Sequence, residues 1–187
     1  MDDPYPSYLL IAQVPSLSFS YFLFNGLALL LLLLGSALVS GSEVAFFSLT
    51  KDDLTDLNQK HPEKGRVITS LLATPKILLS TVLILNNLIN IGIVTLTTFV
   101  TWTLYGTNAT GIIVILIQTV GVTFAIVFFG EIVPKVYANQ ANTRFALALA
   151  TPITFFTRLL KPFSVFLIAF SNLIEKRVQQ KGYSLSV

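Results

Sequence analysis

The sequence contains no cysteine and a single histidine, and only 11% of its 187 residues are charged. Without cysteine there are neither disulfides nor thiolate metal ligands. The one histidine, His61, sits in a polar loop sequence where it reads as solvated. No HExxH pair, no histidine inside an apolar run for a Ser/His/Asp set and no aspartate within those runs is present, which argues against an enzyme. The scarcity of charge, with 53% hydrophobic residues and a mean hydropathy of +0.76, excludes an ordinary soluble domain. No basic residue precedes the first apolar run, so that run is not a cleaved signal peptide.

What the chain does have is length in its apolar runs. A bilayer core takes about 20 helical residues. Three runs qualify: Tyr21 to Val39 with its continuation to Ser48, Ile77 to Tyr105, and Gly111 to Phe129. The last alone would extend roughly 28 Å at the helical rise. The expectation is an all-α membrane protein whose spans cover about 20–48, 77–105 and 111–129.

The basic residues are unevenly placed. The tail 1–19 and the hairpin between the second and third runs have none. Lys51, Lys60, Lys64, Arg66 and Lys76 lie between the first two runs, and the other seven follow the third. Cytoplasmic loops concentrate lysine and arginine, so the amino terminus is expected outside and the carboxyl terminus in the cytoplasm of a multi-pass protein. The basic pI of about 9.2 then reflects topology rather than a nucleic-acid surface. Asn108-Ala109-Thr110 matches a glycosylation sequon, which without a secretory context reads as chance. A further apolar stretch, about 145–175, is cut by Pro152, Arg158, Lys161 and Pro162. Prolines break helices and cations avoid the bilayer centre, so two short interfacial helices in contact with membrane lipid are expected there. The segment 51–76 reads as two short helices, capped by Thr50 with Asp53 and turned at "HPEKG".

Polar residues interrupt each span: "SGSEVAFFS" from Ser40, "LNNLIN" from Leu85, and "GEIVPK" from Gly130. Asn86 and Asn90, four apart, share one helical face, while Asn87 points about 100° away. A carboxylate near the bilayer centre costs about 2.5–3.5 kcal/mol on insertion scales. Two of them, Glu43 and Glu131, with no lysine or arginine in the three runs, call for a partner from outside the chain or for protonated carboxyls. Glutamate, amide, hydroxyl and backbone oxygens suit a hard cation: Mg²⁺, Ca²⁺, Mn²⁺ or Na⁺. Pro134 cannot donate to the carbonyl of Gly130, which frees that oxygen, and Gly41 is expected to loosen the first helix in the same way. The competing reading is that these asparagines and serines only join helices by hydrogen bonds.

"SGSEVAFFSLT", "LILNNLINIG" and "FGEIVPKVYANQ", in this order, resemble the transmembrane domain of the CorC/CNNM (cyclin M) magnesium transporters over about residues 20–187. The resemblance implies a homodimer of three-span protomers with juxtamembrane helices. It implies Mg²⁺ transport across the plasma membrane, in the export direction and coupled to Na⁺ entry, through a dehydrated site. Carried over by motif, the metal residues are Ser42, Asn86, Asn90, Gly130 and Glu131, with Glu43 beside them. Residues 176–187 would begin the linker to a cytosolic pair of CBS modules; no such module, and hence no nucleotide site, is expected in this chain. The alternative is a membrane Mg²⁺ sensor or scaffold that does not transport and whose cation site is structural.

Overall fold

The computed structural model describes residues 19–106 and 111–170. The tail, the sequon, and the basic residues Lys176, Arg177 and Lys181 lie outside the described residues. All the regular structure is helical: α1 (Phe19–Phe47), α2 (Lys51–Lys60), α3 (Pro62–Leu72), α4 (Pro75–Tyr105), α5 (Ile112–Ala125), a π-helical segment (Ile126–Ile132), α6 (Val133–Gln140), α7 (Asn142–Leu159) and α8 (Lys161–Phe170).

Three helices are long and apolar enough to cross a membrane: Phe19–Phe47, Pro75–Tyr105 and Ile112–Gln140. The first and third have 29 residues each, or roughly 44 Å, so they overhang a hydrocarbon core of about 30 Å. The third is therefore longer than the apolar run 111–129, because the chain stays helical through the polar stretch that follows. Pro134 does not break it. The i→i−4 ladder has already given way to the wider π register, in which Val133 N–H donates to Phe128 O, and Pro134 falls in the first turn of α6 where a missing N–H is tolerated. Gly41 does not open α1 either. The helix is continuous, and the absent side chain makes room for a neighbour: a Cβ there would come within 2.7 Å of the Phe145 ring.

At the basic end of the bundle the helices are well packed. Val39 and Phe46 of α1, Leu57 of α2, Ile68 and Leu71 of α3, Leu78, Val82 and Leu85 of α4, and Ala146, Ala150 and Ile153 of α7 form one buried core. α2 begins with a reciprocal cap: Thr50 Oγ1 accepts from Asp53 N–H, while Thr50 N–H and its hydroxyl donate to the Asp53 carboxylate. Those bonds, the backbone one first, hold the Asp53 carboxyl below its ordinary range. The turn to α3 is tighter than the sequence pattern suggests. His61 alone separates the helices, Pro62 opens α3, and Gly65 lies so close to Asn58 that a Cβ would meet its backbone at 2.9 Å.

α7 and α8 are the two expected pieces: of the four interrupting residues, Lys161 and Pro162 fall at the break, next to Leu160, whereas α7 accommodates Pro152. The two helices bend by 69°, and only if counted as one would they make a fourth span. Buried Thr81 of α4 and Ser164 of α8 share a hydrogen bond of 3.1 Å that fastens α8 to the second span. The opposite end of the bundle is open. α5 has no buried residue, and Ile113, Ile117 and Val120 are largely exposed, as lipid-facing side chains would be.

Candidate cation site

Midway along the bundle, α1, α4 and the π segment bring four side chains together. Ser36 Oγ lies 2.8 Å from Asn90 Oδ1 and 3.1 Å from Asn86 Oδ1. A hydroxyl has one proton to donate, so it serves one amide at a time, and Asn90 is nearer. Asn90 Nδ2 donates to Glu131 Oε1 at 3.2 Å, and Asn86 Nδ2 reaches the same oxygen at 3.4 Å. Gly130 completes the wall. Its backbone is buried, and a Cβ there would come within 2.9 Å of Ser36 Oγ. Only glycine lets the third helix approach α1 this closely.

The π segment explains how Gly130 and Glu131 reach this wall. An i→i−5 register widens the turn and leaves backbone groups less regularly paired, and such segments recur at functional sites. Pro134 then removes one donor from the ladder, so a carbonyl four or five positions back, that of Gly130 or Phe129, is deprived of its usual N–H. Asn86 and Asn90 face Glu131, as their spacing of four requires. Asn87 is exposed and bonds back to Leu83 O at 2.8 Å within its own helix.

Two of the sequence-derived site residues stand elsewhere. Ser42 is fully buried, but its hydroxyl donates to Val39 O at 2.6 Å. It lies six residues from Ser36 on α1, turned by about 120°, which takes it off the face that meets Asn86 and Asn90. Ser36, which the motif does not name, is the serine that meets the two amides. Glu43 is not at the cluster either. Its Oε2 is 3.1 Å from Lys135 Nζ, with both side chains partly exposed at 34% and 40%. The expectation that each carboxylate needs a partner from outside the chain is therefore corrected for Glu43. The third helix runs on past the apolar run and carries Lys135 to it. Glu131 contacts no basic side chain among the described residues; its partners are neutral amides.

Two grooves of about 270 and 390 Å³ lie between α4 and α5 toward the open end, the larger also bounded by Leu29 of α1; Gln118, whose Nε2 donates to Thr98 Oγ1 at 2.9 Å, lines both. Neither is lined by a charged residue, and both are separate from the carboxylate cluster. No group of three or more His, Cys, Asp or Glu occurs among the described residues. A cation held here would depend on one carboxylate supplemented by neutral oxygens.

This arrangement, one carboxylate and two amides at a π-helical break within three spans, coincides with a family match. Residues 27–186 match the model described as the cyclin M transmembrane N-terminal domain. The chain belongs to the CorC/CNNM family. Its relatives include a UPF0053 protein of Haemophilus influenzae, 30% identical over 152 residues, which cover 81% of this chain and 34% of that protein. A UPF0053 protein of Synechocystis is 30% identical over 139 residues, 72% of this chain and 38% of the relative. The UPF0053 inner membrane protein YfjD of Escherichia coli is 35% identical over 103 residues, 55% of this chain and 23% of its own length. The chain thus spans only 23% to 38% of the length of these relatives. Membrane-spanning helices and an inner-membrane relative agree on a membrane location for this CorC/CNNM domain.

Proposed function

We propose that this domain carries Mg²⁺ across the cell membrane, and that the ion binds between Asn86, Asn90, Gly130 and Glu131. The observation that carries the reading is Glu131. It is a half-buried carboxylate inside a span, compensated among the described residues only by the N–H groups of two amides. An amide is suited to a site that is alternately empty and occupied. With no ion present, its NH₂ satisfies the carboxylate. With an ion present, rotating the amide plane by half a turn offers its oxygen instead. Ser36 stands behind both amides in either state: its hydroxyl donates to Oδ1 now and accepts from Nδ2 after the rotation.

Two amide oxygens, the Glu131 carboxylate and the Gly130 carbonyl provide hard ligands of the kind Mg²⁺ takes. The remaining coordination positions fall to retained water, consistent with the reluctance of Mg²⁺ to dehydrate. Ser42, bonded to its own helix, takes no part in this scheme.

Family membership supports transport over a fixed structural site, and so does the π segment, a local irregularity that can change register. Export, Na⁺ coupling, a homodimer, and an amino terminus outside remain part of the same proposal. The experiment is Mg²⁺ flux into or out of liposomes holding the purified chain, with and without a Na⁺ gradient. Binding with no flux under either gradient would favour the sensor or scaffold.

A further inference from the structure

Resting on the reading of Glu131 as the ion's carboxylate, we infer that the ion's path at the basic end of the bundle runs along the seam between α1 and α6, with Glu43 as a transit carboxylate and Lys135 as the tethered ammonium that holds this mouth closed.

The seam starts at the cluster. On α1, Ser36, Ser40 and Glu43 fall within about 60° of one another, one above the next, over roughly 10 Å of helix. On the third helix, Glu131 and Lys135 are four apart and share a face in the same way. The two faces meet at both ends: at the cluster, where Gly130 lies against Ser36, and at the Glu43–Lys135 pair, 3.1 Å apart. Between them sits Ser40, only 1% exposed, with a hydroxyl that has no hydrogen-bond partner. A buried hydroxyl normally finds a partner, since leaving one unmade costs about 1–3 kcal/mol. Along an ion's route, its two lone pairs are available to the passing cation.

The chemistry of the pair suits a gate. An ammonium and a divalent cation compete for the same carboxylate oxygens, so Lys135 occupies at Glu43 the place an ion in transit would take. Because the pair is partly open to water, its attraction is screened and opening it demands little. Glu131, by contrast, has no resident cation to displace.

The absence of cysteine provides the test. A cysteine placed at Ser40 in the purified chain is treated with a small water-soluble thiol reagent, in otherwise wild-type, Lys135→Gln and Glu43→Gln backgrounds. Separately, with Ser40 intact, each background is loaded with Mg²⁺ and its release into excess EDTA is followed with a Mg²⁺-sensitive dye. Both substitutions unlatch the mouth, so Ser40→Cys should react at least tenfold faster in each. Lys135→Gln should also release Mg²⁺ at least tenfold faster than wild type. Glu43→Gln, with no transit carboxylate and an unpaired ammonium at the mouth, should release it more slowly than Lys135→Gln. Through-space charge alone predicts the reverse order, because Lys135→Gln adds net negative charge near the ion and should slow its escape. Unchanged labelling, or slower release from Lys135→Gln, overturns the gate. If Glu43→Gln abolishes equilibrium binding as fully as Glu131→Gln, Glu43 is a ligand and the gate is also overturned. A wild-type chain that binds no Mg²⁺ removes both this inference and the proposed site, whereas intact binding with unchanged release removes the gate alone.

Discussion

Glu131 and Glu43 are carboxylates on helices that pack against each other, yet their surroundings differ. Glu131 lies roughly 13 Å from the end of its helix, among amides from α4. Glu43 lies roughly 6 Å from the end of α1, beside a lysine and partly in contact with water. Burial and partner vary together. Where water is near, an ammonium partner is inexpensive and screened. Deeper in, a fixed positive charge would exclude the proposed cation, and neutral groups that present either a donor or an acceptor serve better. In the proposed reading, Glu131 holds the ion and Glu43 lets it by.

The largest expected effect divides the two directly. Glu131→Gln removes the charge from the amide-lined cluster and should weaken Mg²⁺ binding by about a hundredfold or more, ~2.8 kcal/mol. Glu43→Gln should retain the Mg²⁺-dependent rise in melting temperature. The measurement is a melting series against MgCl₂ at constant ionic strength, and equal losses in both variants would erase the distinction drawn here.

Next come the amides. Asn86→Leu and Asn90→Leu each delete one ligand oxygen and one N–H to Glu131, and each should weaken the Mg²⁺ response by about tenfold or more, ~1.4 kcal/mol. Asn87→Leu removes only a bond to Leu83 O and should keep the response with a slightly lower melting point. A response lost in Asn87→Leu and kept in Asn90→Leu would move the site to the other face of α4.

A smaller effect tests which serine supports the amides. Ser36→Ala should weaken binding about threefold to tenfold, up to ~1.4 kcal/mol. Ser42→Ala, whose hydroxyl serves only Val39 O, should leave it unchanged. The same titration checks both, and the opposite order would restore Ser42 to the site.

The smallest concerns stability without Mg²⁺. A partly exposed ion pair contributes about 0–1 kcal/mol, so Lys135→Gln should scarcely change the melting temperature in EDTA. A large loss would mean that the pair is a structural clasp rather than a latch.

Much of this was legible in the sequence because membrane helices obey simple periodicity. Asn86 and Asn90 could be paired, and Asn87 set aside, from 100° per residue alone. The all-helical class and three long apolar helices followed from run lengths. Ser36 was missed because it lies within "LLLLLLGSALVS", where a hydroxyl next to a run of leucines is unremarkable, and the motif drew attention to Ser42 beside Glu43. The signal was available: Ser36, Ser40 and Glu43 repeat at intervals of four and three, whereas Ser42 does not. The Glu43–Lys135 pair was missed for another reason. Lysines past the third apolar run were counted as topology markers, and nothing local shows that the helix continues through Pro134 to bring one of them back. That continuation depends on the π register, which no propensity rule places.

The π segment also acts as a setting of phase. Each residue added to or removed from an α-helix turns everything beyond it by about 100°. A π turn absorbs one extra residue, so α6 keeps its orientation relative to α5 although the helix carries an insertion. Deleting a single residue between Ile126 and Phe129 would let the helix return to the i→i−4 register and would lower the cost of the irregular turn. It would leave the downstream face nearly where it is, because the fifth residue of a π turn stands where the fourth of an α turn would, so Glu131 and Lys135 should still meet their partners.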